Sequence, residues 1–219
     1  MAVFSQDRDI LKHEAILFSK LYFPWQVLCE GKDGVLSGTS FSQSGNDFTA
    51  LSVSGGGVIY LRSDDGNLDG VYEIVSVDSA GELTISVLRE DSQASAVAPG
   101  DNSNISYRVS TFGPQANTVF FELTRYFGIQ PGNPNSEYGV EDVVDTEVLR
   151  QAAVYAVIAG IYATLGSRSE DEHGFWQKSL HYQKLFEKAR ERCRISIDAD
   201  GDGNGEINRV GGSIRIFRD

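Results

Sequence analysis

Sulfur is almost missing from this chain, with two cysteines and one methionine in 219 residues. Cys29 and Cys193 stand far apart and form no CxxC or Cys/His grouping. That excludes a disulfide framework and a cysteine-based zinc site, and it fits a reducing compartment. Histidine is nearly as scarce. His173 and His181 are eight apart on one expected helix with Gln177 at the turn between them, too far apart to share a metal, so they and His13 read as surface or capping residues. No GxSxG, HExxH or GxxxxGK[ST] pattern occurs, nor a GxGxxG between strand and helix. Paired carboxylates such as Asp64 and Asp65 sit in glycine-rich turns. With no nucleophile and base to name, the chain is not expected to be an enzyme.

Positive charge is also in deficit, at 19 Lys and Arg against 31 Asp and Glu, a net charge of −12. The shortfall is concentrated between Asp33 and Arg108, where 11 acidic residues face 3 basic ones. An acidic surface repels phosphates, which argues against a sequence-reading DNA binder while leaving room for a wall past which DNA slides. Met1 to Asp9 is polar and charged, unlike a secretory leader. The longest apolar run, Ala152 to Leu165, is 14 residues. A bilayer needs about 20, so a buried helix and no membrane partner are expected.

What is abundant is glycine, 23 residues against 5 prolines, a balance suited to many short turns. The periodicity divides the chain. Asp7 to Leu28 places Ile10, Leu11, Ala15, Leu17, Phe18 and Leu21 on one helical face, with Pro24 interrupting. From Asp33 to about Ser110, short alternating runs ("GVIYLR", "GVYEIVSVD", "ELTISVLR", "ISYRVS") lie between turn residues and predict a small antiparallel barrel or sandwich of five or six strands. A short helix is expected over Asn117 to Phe127. Two long ones follow, from Asp145 or Thr146 as cap to about Leu165, apolar on nearly every face, and from about Glu170 to Arg194, acidic at its start and basic at its end. The fold class is therefore α+β. Its core is helical, two long antiparallel helices plus an N-terminal helix, with the strand segment inserted and a C-terminal strand arm. The divisions are 1–32, 33–110, 111–195 and 196–219.

The candidate site is the stretch "ISIDADGDGNGEINRVGGSIRIFRD". Counting from Asp200 puts Asp200, Asp202 and Asn204 at the first, third and fifth positions of an EF-hand loop, Gly205 at the sixth and Ile207 at the eighth. Asp198 and Glu206 complete a weak metal-ligand candidate set. The twelfth position is Gly211 instead of the bidentate Glu, and the flanks are strand-like. A tight glycine turn with optional, weak calcium binding is thus expected, and no other cofactor. Downstream, Ile214, Arg215, Ile216 and Phe217 form a short strand. Either it pairs with Ile195 to Ile197 as a hairpin, or it offers an edge to another chain.

The helix pair "VLRQAAVYAVIAGIYATLGS" and "FWQKSLHYQKLFEKARERC", followed directly by "IDADGDG" and an arginine-bearing strand, resembles the head-to-tail adaptor (connector) proteins of tailed bacteriophages and gene transfer agents. "DILKHEAILF" and "DGVLSGTSF" near the start add to the likeness, which covers about half the chain; the inserted strand segment is longer than in compact adaptors. The resemblance implies a structural virion protein of the neck, assembled in the host cytoplasm as a ring, usually dodecameric, beneath the portal. It implies portal, stopper or tail proteins as partners and DNA passing without sequence recognition. It also implies that Ile214, Arg215, Ile216 and Phe217 reach the portal or a neighbouring subunit. The alternative is a calcium-responsive binding module built on Asp200 to Gly211.

Overall fold

In a computed structural model, residues 3–167 and 172–211 are described. The fold is mixed α and β, and the chain divides into two compact units, Gln6–Gly113 and Met1–Ser5 with Pro114–Asp219.

The first unit opens with α1 (Asp7–Leu11) and α2 (Ile16–Ser19), then a 3-10 turn at Pro24–Gln26. The helical segment expected from Asp7, interrupted at Pro24, is thus broken earlier as well, into two short pieces. Helices this short have little stability of their own, so burial decides their placement. Ile10, Leu11, Leu17 and Phe18 are all buried, and both helices pack against the strands that follow. The chain is already in β1 at Val27. Residues 6–32, expected with the helices, thus belong to the strand-rich unit.

That unit is a closed six-stranded barrel of β1 (Val27–Ser37), β2 (Ser40–Ser42), β3 (Val58–Ser63), β4 (Asp69–Ser79), β5 (Glu82–Ser86) and β6 (Asn102–Ser110). The strands run in the order β1-β2-β5-β4-β3-β6, every pairing is antiparallel, and β6 closes on β1. Closure leaves no strand edge to aggregate. The sequence predicts β3 to β6 because their residues alternate. Ile59 and Leu61 point inward while Tyr60 and Arg62 face out, and Ile105, Tyr107 and Val109 alternate with Ser106 and Arg108. It misses β1 and β2, whose glycines resemble turns. In the barrel those glycines admit rings. A Cβ on Gly31 would lie 2.7 Å from the Tyr107 hydroxyl, and one on Gly34 2.6 Å from the Phe41 ring. Phe41, Phe48 and Tyr107 fill the centre with mutual ring distances of 5.2 to 6.4 Å. Glu73, 1% exposed, is buried with cationic partners. Its carboxylate accepts from Arg89 at 2.8 and 3.2 Å and from Arg8 at 3.1 Å.

The second unit begins with α3 (Gly113–Tyr126), longer than expected. Pro114 sits in its first turn, where no backbone donor is lost. Ala116, Val119, Phe120 and Leu123 form its buried face. It ends where Gly128 takes φ +74°, with the Gly128 and Ile129 amides donating to the carbonyls of Arg125 and Thr124, the reciprocal pair of a Schellman motif. A 3-10 turn at Glu147–Leu149, preceded by Asp145, whose carboxylate accepts the Glu147 amide at 2.9 Å, leads into α4 (Arg150–Gly166). After it comes α5 (Glu172–Arg192), then the hairpin of β7 (Arg194–Ile197) and β8 (Ile207–Val210).

Candidate functional site: the helix hairpin and its acidic turn

Helices α4 and α5 run antiparallel. Cys193 donates to the Val148 carbonyl at 3.1 Å and Ser179 to the Ala159 carbonyl at 2.9 Å, while Lys178 reaches the Tyr162 hydroxyl at 3.0 Å. Partner numbers fall on one helix as they rise on the other. Tyr162 is the hub, fully buried, with Phe175 and Tyr182 stacked on it at 6.0 and 6.3 Å.

The composition of α4 promised burial on every side, and the structure corrects this. Ala152, Ala153, Val154, Val157, Ile158 and Ile161 are buried, whereas Gly160 and Thr164 are exposed and Ala156, Ala159 and Ala163 half-buried. Small residues on the open side explain the difference, because alanine and glycine keep the helix apolar in sequence without presenting a large area. The continuous helical run Glu147–Gly166, 20 residues, is long and apolar enough to cross a bilayer, and half of its most apolar 18-residue stretch is buried within the protein. On α5, Trp176 and Leu180, one helical turn apart, are 53% and 41% exposed.

The helix pair ends directly in the hairpin. Its register, Arg194 to Val210 through Ile197 to Ile207, gives Ile195 to Ile197 a partner other than Ile214 to Phe217, one of the two alternatives read from the sequence. The nine-residue loop from Asp198 to Glu206 closes on itself through its own polar groups, so Ile207, the first apolar residue after it, meets Ile197. The expected partner-binding positions Ile214, Arg215, Ile216 and Phe217 lie outside the described residues. β7 is held on its other side, where the Val144 amide donates to Ser196 and the Asp198 amide to Asp142. Arg209 ties β8 to the end of α3, donating to the Phe127 and Gly128 carbonyls at 3.3 and 3.2 Å.

Within the turn, carboxylate oxygens of Asp198, Asp200, Asp202 and Glu206 all lie within 4.8 Å of one another. Calcium takes its oxygens at about 2.4 Å, so opposite ligands would stand about 4.8 Å apart and this spacing fits such a cage. The grouping begins at Asp198, two residues before the EF-hand register predicted from the sequence. Gly203, at φ +88°, then takes the sixth position, where that loop turns sharply. Asn204 does not join the cluster, its amide donating to Asp202 at 3.0 Å. In this register the twelfth position is Arg209, so the bidentate carboxylate is absent here too. The turn also satisfies itself. Asp198 accepts the Gly201 and Gly203 amides, both at 2.7 Å, Asp202 accepts the Asn204 amide and Glu206 the Ala199 amide, each at 2.8 Å. The Gly203 amide foremost holds the Asp198 carboxyl below its usual range.

On the barrel, sequence reading missed a cavity of about 690 Å³ whose wall carries Lys32, Arg62 and Arg108 with Tyr22 and Tyr60. Only pairing across β1, β6 and β3 unites these residues, so no local spacing marks them. Of the three histidines, His13 and His181 are exposed and lie in different units. No known family matches the sequence, and no curated protein or solved structure matches it either.

Proposed function

We propose that the chain is a non-catalytic head-to-tail connector of a tailed-phage or gene-transfer-agent virion, forming a ring beneath the portal. In this reading it joins head to tail or stopper proteins and lines the DNA channel. The observation that carries the reading is the α4–α5 hairpin running without a linker into β7 and its aspartate–glycine turn, the segment on which the adaptor resemblance rests. The helical adaptor core in this reading is α3 to α5, with the barrel as an added unit. The exposed Trp176 and Leu180 on α5 support it physically. Apolar area of this kind gains from burial against a neighbour, and a head-to-tail contact that closes by rotation makes a ring. A net charge of −12 would let packaged DNA pass without sticking.

The test is electron microscopy of portal assemblies mixed with the purified chain. A ring of added density at the portal is the expected result, and its loss on Trp176→Glu with Leu180→Glu would assign it to the helix hairpin. Portal particles that bind no chain under any condition would refute the reading. A second reading, a calcium-responsive module, draws only on the four converging carboxylates. In it an ion at Asp198, Asp200, Asp202 and Glu206 stiffens the hairpin, and a calcium titration of the melting temperature decides it.

A further inference from the structure

Basic residues in the barrel unit are few, 7 against 15 acidic ones, yet 3 of the 7 line one cavity. Arg8 and Arg89 show where the others can go, both paired with buried Glu73. Strand register fixes the layout. Arg62 on β3 pairs with Ser106 on β6, and on the other side of Ser106 β1 bulges, Lys32 and Asp33 together standing between the Gly31–Tyr107 and Gly34–Ile105 pairs. Neighbouring strands are about 4.8 Å apart, which puts the two cations on either side of Ser106 with about 10 Å between their backbones. The next row is Glu30, Arg108 and Tyr60. Arg108 is a fixed plate of positive charge. It donates to the Phe18 and Ser19 carbonyls at 2.9 and 2.8 Å, and its guanidinium lies 3.5 Å from the centre of the Tyr22 ring. Lys32 and Arg62 are exposed and, among the described residues, make neither an ion pair nor a side-chain hydrogen bond. With Glu30 as its one carboxylate, the cavity wall is net positive in a unit that is net negative.

Two free cations gathered beside a fixed third, in a unit rich in acids that could have paired them, form a receptor for clustered negative charge. The same chain carries a ligand of that chemistry. The tip of the β7–β8 hairpin presents four carboxylates within 4.8 Å of one another, with Asp200, Asp202 and Glu206 exposed. We propose that the barrel cavity of one copy receives the acidic hairpin of a second copy, with Lys32 and Arg62 closing on its carboxylates over Ser106. Donor and receptor surfaces differ, so the contact is heterologous and propagates from copy to copy. It rests on the ring reading above and gives that ring its electrostatic joint.

The experiment is sedimentation velocity and native mass spectrometry of the full chain at about 50 mM and 500 mM salt. The parent chain self-associates at low salt and less at high salt. Lys32→Glu with Arg62→Glu in one variant, and Asp200→Lys with Asp202→Lys in another, each weaken association at least about tenfold. An equimolar mixture of the two recovers it in part, because the intact cavity of one variant then meets the intact hairpin of the other. All four positions are exposed, and circular dichroism checks that both variants remain folded. A parent chain monomeric at about 1 mM overturns the proposal, as does a cavity variant that associates like the parent or a mixture no better than its components. Single-stranded oligonucleotide binding lost in the cavity variant, without self-association of the parent, would assign the cavity to nucleic-acid phosphate and also overturn it. Portal-bound rings that form normally from either variant would overturn this joint while leaving the connector function standing.

Discussion

Replacing Arg89 by Met strands a carboxylate. Glu73 lies on β4 with its side chain 2% exposed, and Arg89, 6% exposed, supplies two of its three cationic hydrogen bonds, at 2.8 and 3.2 Å. After the substitution the Arg8 contact at 3.1 Å is the only cationic one, with the backbone amide of residue 89 still donating at 3.4 Å. Removing one partner of a buried pair costs about 3–5 kcal/mol, mostly as the penalty on the charge left behind. The Arg89 bonds to the Ser92 and Ala94 carbonyls are lost as well, but those groups lie at or near the surface and can turn to water, so they add little. Converting Glu73 to Leu in the same protein removes the stranded charge, and Glu73→Leu with Arg89→Met is expected to recover most of the loss. The assay is urea unfolding of the full chain carrying Trp176→Phe, which leaves Trp25 as the reporter of the barrel unit. Burial by itself would raise the Glu73 carboxyl, but hydrogen bonds from Arg89 and Arg8 outweigh it and hold the group below its ordinary value of 4.5. The stabilisation is therefore present above that value and fades as pH falls through the lower folded one, so parent and Arg89→Met should converge in acid. A single variant within 1 kcal/mol of the parent, or a double variant no more stable than the single, would refute the reasoning.

Other residues give independent checks. Burial raises the Asp7 carboxyl to about 6 despite the hydrogen bond it accepts from the Phe112 amide. Its contribution is favourable below 3.8 and lost as pH rises through 6, so Asp7→Asn should be the more stable protein at pH 7, by up to about 3 kcal/mol, and match the parent at pH 3.5 in thermal melts. Gly34→Val drives a side chain into the Phe41 ring and should cost about 1–3 kcal/mol in the same urea assay, whereas exposed Val35→Thr should be nearly neutral. For the acidic turn, lacking the twelfth-position carboxylate, calcium affinity on the order of 0.1–1 mM is expected. At a Kd of about 1 mM, 10 mM calcium would then add about 1.4 kcal/mol. Asp200→Ala with Asp202→Ala should abolish that gain, and a parent melt indifferent to calcium would mean the turn is closed by its own hydrogen bonds alone.

Elements whose burial pattern is local could be read from the amino-acid order. β3 to β6 were legible because inward and outward residues alternate along one strand, and α4 and α5 because charge and apolar spacing mark helix ends and faces within a few turns. The acidic cluster was legible too, since its carboxylates lie within nine residues, although it begins two residues before the loop register read from the sequence. Tertiary structure alone decided the rest. Gly31 and Gly34 read as turn residues until the rings of Tyr107 and Phe41, more than 70 and 7 positions away, show that they serve close approach inside a strand. The amino-terminal helix was lost to the barrel because its apolar residues gain more by burial there than a short helix gains by continuing. Lys32, Arg62 and Arg108 became one site only when β6 paired between β1 and β3. The physical reason is range. Periodicity and turn chemistry act between near neighbours in the chain, whereas barrel closure, ion-pair burial and cavity walls join residues whose separation in sequence carries no signal of their distance in space.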